Sequence, residues 1–330
     1  MKRVILAALA LLLAWTAPAA PVKIIFDTDI GNDVDDVLAL ALLHALQTRG
    51  DCEILTVTVT KPSELAGPFV DVLDTFYGRP GIPIGCIKPS PAEPAGKFLP
   101  LADAKDGGRL RYPHTLRRGS DAPAAVALLR KVLGGQPDHS VVLVQVGYFS
   151  NLAALLDSPG GLDLVKNKVT LLSVMAGAFN PELQRKHFCE YNVIKDLPAA
   201  RKLAANWPTP IVWSGAEIGV AVPYPASSIQ RDFNYVPHHP AAEAYCLYNP
   251  PPHERPTWDL TAALYAVLPD RGYFDVSAEG WVKVEADGFT RFTPQPGGRD
   301  RFLVLTADRI PRLKEALVQL ASQPPDRIKH

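Results

Sequence analysis

The sequence predicts an α/β fold: an open, mostly parallel sheet with helices on both faces, and a small antiparallel β element towards the C-terminus. Three observations carry this. Through residue 215, short β-rich runs alternate with Leu- and Ala-rich segments of helix length, the pattern of repeated βα units. Polar residues collect immediately after those runs, where open parallel sheets bind ligands. From residue 273 the alternation changes to short strands separated by Gly280, Gly288 and Gly297-Gly298.

Taken in order, residues 22–26 (VKIIF) form a first strand and residues 36–47 an almost wholly apolar helix. A helix apolar all round is buried against a sheet. Residues 53–60 (EILTVTVT) are the second strand, so the unit is a right-handed βαβ crossover. A helix over 63–77 and a short strand at 82–85 follow. Residues 88–123 are rich in Pro, Gly and charge without periodicity, either a functional lid or a solvated excursion. Next come a helix (122–133), a central strand (140–146, SVVLVQV) and a helix over 151–156 with Ser150 as its N-cap. Strands at 169–174 and 209–213 flank a helix near 196–206. Residues 221–256 are loop with one helix near 241–246, followed by helices over 259–267 and 311–320, the second beyond the antiparallel element. The chain from 21 to 330 is expected to be a single domain.

The most informative stretch is DTDIGNDVDD, which follows the first strand and places Asp27, Asp29, Asp33, Asp35 and Asp36 within ten residues. Like charges so crowded raise one another's pKa and destabilise the fold unless offset. A hard divalent cation is the natural offset, because calcium takes six to eight oxygen ligands. Helix capping accounts for one or two of the five carboxylates. Further candidates sit after later strands: the turn at Val146-Gly147, then Asn180, Glu190, Asn192 and Asp259.

Lys plus Arg and Asp plus Glu both number 34, and no basic block lies beside aromatics. An electrostatically held nucleic acid is therefore not expected. Residues 1–20 resemble a signal peptide: Lys2 and Arg3, an apolar run over 4–15, and Ala17-Pro18-Ala19 before the cleavage point. Export to the periplasm or beyond is the expectation, with no membrane span after the signal. Cys52, Cys86, Cys189 and Cys246 are widely spaced without a CxxC pair. They are expected to be isolated buried residues, and no zinc site among them is expected.

The blocks IIFDTDIGNDVDDVLAL (24–40), GYFSNLAAL (147–155), VMAGAF (174–179), EYN (190–192) and WDLTAAL (258–264) resemble the inosine-uridine preferring nucleoside hydrolase family. The resemblance implies hydrolysis of the N-glycosidic bond of ribonucleosides, bound Ca2+, and a homodimer or homotetramer. It implies Asp29 as general base and calcium ligand. Asp35, Asp36, the Val146 carbonyl and Asp259 are implied as further ligands, with Asp35 also touching ribose. Asn180, Glu190 and Asn192 are implied to grip the ribose, and Asp27 to support the loop.

Three departures from the family pattern stand out. The acidic loop is two residues longer, which opens a ligand role for Asp33 in place of Asp35. Lys61-Pro62 replaces a Gly-Asn pair, so Lys61 becomes a candidate substrate contact. Trp258 stands where a leaving-group His is usual; an indole can stack on a base but supplies no acidic proton. His114, His187, His238 and His239 are the candidates to replace that acid. These departures leave a second reading open, a non-catalytic protein that binds calcium and ribose or nucleoside.

Overall fold

The structure, a computed structural model, describes residues 20–88 and 93–326. The expected signal peptide lies, Ala20 apart, outside the described residues.

The chain opens with β1 (Val22–Thr28), α1 (Asp35–Arg49), β2 (Cys52–Val59), α2 (Ala66–Phe76) and β3 (Ile84–Cys86). A two-stranded hairpin, β4 (Lys105–Asp106) and β5 (Arg109–Leu110), precedes α3 (Ala125–Gly134) and β6 (Val141–Gln145). Then come α4 (Ser150–Asp157), α5 (Gly161–Lys168), β7 (Val169–Met175), α6 (Pro181–Arg185), α7 (Tyr191–Lys195), α8 (Leu197–Asn206) and β8 (Ile211–Ser214). The chain continues through α9 (Ala216–Val220), α10 (Ala226–Arg231), α11 (Pro240–Tyr248) and α12 (Trp258–Val267). It closes with β9 (Asp275–Val276), β10 (Gly280–Val284), β11 (Thr290–Pro294), β12 (Asp300–Val304) and α13 (Ile310–Ala321).

One 10-stranded sheet runs β11-β10-β12-β8-β7-β6-β1-β2-β3, with β9 beside β12. From β12 to β3 every pairing is parallel, and β9, β10 and β11 are antiparallel. The antiparallel element expected towards the C-terminus is thus present. Through β12 paired with β8 it extends the main sheet.

Strand periodicity distributes β1 between two cores. Ile24 and Phe26 join α1, α2, α11, α12 and α13 on one face, while Ile25 joins α3, α4, α5 and α8 on the other. α1 is buried along its length from Asp35 to Leu46 and packs against α12 and α13, which accounts for its lack of a polar face. Each buried Leu or Val there contributes roughly 1.5–3 kcal/mol.

The long segment before α3 is tied down rather than solvated. Its Phe98, Leu99, Leu101, Ala102 and Tyr112 enter the first core, and Asp71 of α2 accepts the backbone N–H groups of Thr115 and Leu116 at 2.7 Å. Ser150 is not an N-cap: it is the first residue of α4 and its hydroxyl donates to Asp196. All four cysteines are free; Cys52 and Cys86 are buried as expected, but Cys189 is only partly buried and Cys246 is exposed. Among the described residues, no helix is long and apolar enough to cross a membrane.

Candidate active site

The carboxyl ends of β1, β6 and β7 and the N-termini of α9 and α12 surround a cleft of about 450 Å³. Two close approaches fix it. A Cβ on Gly147 would lie 2.5 Å from the Asp29 nitrogen, so only glycine lets the turn after β6 press against the end of β1. A Cβ on Gly219 would lie 2.5 Å from backbone atoms of Trp258, so α9 and the start of α12 touch directly.

Asp27, between Phe26 and Thr28 at the end of β1, sits beneath the acidic loop, fully buried. Its Oδ1 accepts from the Thr58 hydroxyl at 2.5 Å and the Asn151 amide at 2.8 Å, and its Oδ2 has no partner. Burial pushes its carboxyl up to about 7, against the pull of those two donors. Asp29 lines the cleft and accepts from the Asn32 amide at 2.7 Å. Burial raises it to about 6, while Asn32 and the Lys61 ammonium hold it down.

The carboxylates of Asp35, Asp36 and Asp259 bring one oxygen each within 4.8 Å of the others, and all three residues are buried. Asp35 accepts the Asp259 backbone N–H at 3.2 Å, and Asp36 accepts the Thr28 hydroxyl. Burial first, and their mutual repulsion with Asp29 and Asp33 second, raise all three well above the usual carboxylate range. Three buried acids with so few donors are a poor arrangement for protein alone and a fitting one for a hard cation. An all-oxygen donor set of this kind suits calcium.

Asp33, the other candidate ligand of the lengthened loop, is not in that cluster. Its carboxylate pairs with Arg255, Nε lying 2.9 Å from both oxygens. The Arg255 guanidinium lies 4.9 Å from the centre of the Trp258 ring and 5.2 Å from that of Tyr248. Asp33, Arg255, Tyr248 and Trp258 all line the cleft. The Trp258 indole N–H donates to the Ala216 carbonyl at 2.9 Å, which fixes the ring and leaves it no proton to offer.

Glu190 caps α7, accepting the backbone N–H groups of Asn192 at 2.9 Å, Val193 at 3.2 Å and Gly177 at 3.3 Å. Burial nevertheless lifts its carboxyl to about 7. The Asn192 amide donates to the Val146 carbonyl at 2.8 Å and the Met175 carbonyl at 3.2 Å. Its Oδ1 accepts from no described residue. Val146, Glu190 and Asn192 all line the cleft.

Two expected substrate contacts lie elsewhere. Asn180 does not line the cleft; its side chain caps α6, accepting the Leu183 N–H at 2.8 Å. Lys61 is buried behind Asn32, donating to its amide oxygen and to Glu93 at 3.1 Å. It acts on the cleft through the Asn32–Asp29 hydrogen bond and through its charge, which lowers Asp29. Among the described residues, no histidine lines the cleft: His114 and His239 are buried, and His187 and His238 face Asp287 and Glu243 on the surface. Asn32, Met175, Phe188, Tyr191, Tyr248 and Arg255 line it without having been singled out in the sequence. Arg255 stands far from the aspartates in sequence, and no local signal marks it as their counter-charge.

Fold and site together define an α/β protein with an acidic cation pocket at the carboxyl edge of its sheet. The sequence profile described as "Inosine-uridine preferring nucleoside hydrolase" matches residues 24–299, and the chain belongs to that family. It is similar in structure to an inosine-uridine preferring nucleoside hydrolase from Bacillus anthracis, with a TM-score of 0.67 and 20% identity over 91% of this chain and 99% of that one. A purine-preferring ribonucleoside hydrolase from Gardnerella vaginalis gives 0.68 and 17% over 92% and 99%. The type III effector protein XopQ, complexed with adenosine diphosphate ribose, gives 0.69 and 16% over 92% and 94%. No curated protein sequence matches the chain.

Proposed function

We propose that this chain hydrolyses the N-glycosidic bond of ribonucleosides in a calcium-dependent reaction, giving ribose and free base. The observation that carries the proposal is Asp29, whose carboxylate lines the same cleft as the three clustered acids, Glu190 and Asn192. Asp35, Asp36 and Asp259 would hold the cation, with Asp29 and the Val146 carbonyl beside it. Bound calcium would acidify and orient a water.

Asp29 takes a proton from the attacking water as the water oxygen bonds to the anomeric carbon. The glycosidic bond breaks, and its electron pair leaves with the base nitrogen, which takes a proton from solvent. The Asn192 Oδ1, open for a hydroxyl, and the Glu190 carboxylate would orient the sugar and favour positive charge developing on the ribosyl ring. Trp258 and Tyr248 offer faces for the departing base. Arg255 adds Nη1, which has no hydrogen-bond partner among the described residues, as a donor to the base.

The test is release of ribose from a panel of purine and pyrimidine ribonucleosides, with calcium and with chelator. Release that vanishes on chelation and in Asp29→Asn supports the proposal. No turnover with calcium demonstrably bound sinks it and leaves the second reading, a calcium-dependent ribose- or nucleoside-binding protein. The fixed Trp258 indole and the absence of a histidine among the cleft-lining residues favour that second reading.

Export is proposed from residues 1–20 alone, and N-terminal sequencing of the mature protein tests it. Assembly as a homodimer or homotetramer rests on family membership, and sedimentation tests it.

A further inference from the structure

The loop between α6 and α7 carries three successive residues with different jobs. Phe188 lines the cleft, while His187 and Cys189 on either side turn towards the β10–β11 hairpin. There Nε2 of His187 lies 2.7 Å from the Asp287 carboxylate. One ligand atom each from His187, Cys189 and Asp287 lies within 4.8 Å of the other two.

All three are organised by a single residue, Phe289. The His187 ring stacks on the Phe289 ring with centroids 4.2 Å apart and planes 10° apart. Cys189 pairs with Phe289 through an antiparallel bridge. Asp287 accepts the Phe289 N–H at 3.1 Å through Oδ1, leaving Oδ2 to face the histidine. His187 itself holds a left-handed backbone, φ 51°, one of two non-glycine residues with positive φ among the described residues. That conformation is costly for a residue with a Cβ, and here it points the imidazole at the hairpin.

We propose that His187, Cys189 and Asp287 form a second metal site, for a borderline divalent cation of the zinc class, separate from the acidic pocket. Imidazole nitrogen, thiolate sulfur and a carboxylate oxygen are the donors zinc takes, and three protein ligands leave a fourth position for water. Calcium prefers oxygen alone, so the two sites divide cations by chemistry. On binding, the Cys189 thiol proton passes to solvent, the proton that His187 Nε2 holds against Asp287 is exchanged through solvent to Nδ1, and the sulfur, Nε2 and an Asp287 oxygen each bond to the metal. Without a cation, burial and the nearby Asp287 keep the thiol above its usual range, which is the opposite of what a thiolate nucleophile needs. The bound ion would staple the β10–β11 hairpin to the loop carrying Phe188 and Glu190.

Zinc titration by calorimetry of the calcium-saturated full chain tests the site, together with Cys189→Ser and His187→Gln. One equivalent of zinc should bind the parent protein, and each variant should weaken it by about tenfold or more. Cobalt(II) should give a thiolate charge-transfer band that Cys189→Ser abolishes. Undiminished calcium binding shows that each variant is folded. The proposal fails if the parent binds no zinc, or if both variants bind it as tightly as the parent.

Discussion

Replacing Asp27 with Asn should make the calcium-free protein less sensitive to pH. The unfolded carboxyl titrates at 3.8, and the buried one is lifted to about 7. A folded pKa above the unfolded value means the native state holds its proton more tightly. This stabilisation is present in full below about pH 4 and is lost as pH rises through 7. About three units of difference correspond to a loss of ~4 kcal/mol. At pH 5 about 1.5 kcal/mol of that has already gone, so roughly 2–3 kcal/mol remains to be lost by pH 8. Asparagine keeps the oxygen that accepts from Thr58 and Asn151 but places an amide where Oδ2 has no partner. That unmet donor costs ~1–3 kcal/mol, and the cost does not vary with pH. Urea unfolding in chelator at pH 5 and pH 8 therefore isolates the titration. The stability of Asp27→Asn relative to the parent should improve by roughly 2–3 kcal/mol between the two. Equal differences at both pH values would refute the reasoning, because burial would then not be what sets the Asp27 carboxyl.

Asp259→Asn should abolish the calcium-dependent rise in melting temperature while leaving the calcium-free protein at least as stable at pH 8, since it removes one of three mutually repelling buried acids; thermal melts with and without calcium decide it. Arg255→Ala should tighten calcium binding by about fivefold, and Asp33→Asn should loosen it, because each removes one charge beside the cluster; calcium titration reads both. In Asp29→Asn, ribose release should fall by about 10²–10⁴ while nucleoside affinity changes little. Equilibrium binding beside turnover distinguishes this from a collapsed pocket, in which affinity would fall as well.

Much of this molecule is written locally. The unbroken apolar run of α1 and the β-rich runs forming β1, β2, β6 and β7 specify the α/β alternation, because each has the length and composition of an element buried on both sides. The stretch from Asp27 to Asp36 declares its cation chemistry by charge density alone, whereas Asp259 stood out only as one polar position among several, and its ligand role came from the family motif. Other features depend on who meets whom. Arg255 reaches Asp33 across the fold, and nothing near either residue announces the pair. β12 joins β8 in register, Asp300 beside Ile211, because sheet edges take partners by long-range packing rather than by local pattern. Asn180 satisfies the first turn of α6 instead of facing the cleft, a choice between two local uses of one amide that only the path of the chain decides. Sequence determined the fold class and the acids; tertiary structure decided which acids share a cation pocket and which one is neutralised by an arginine. The reason is electrostatic: like charges a few residues apart are crowded in any conformation, but their counter-charges are placed by folding alone.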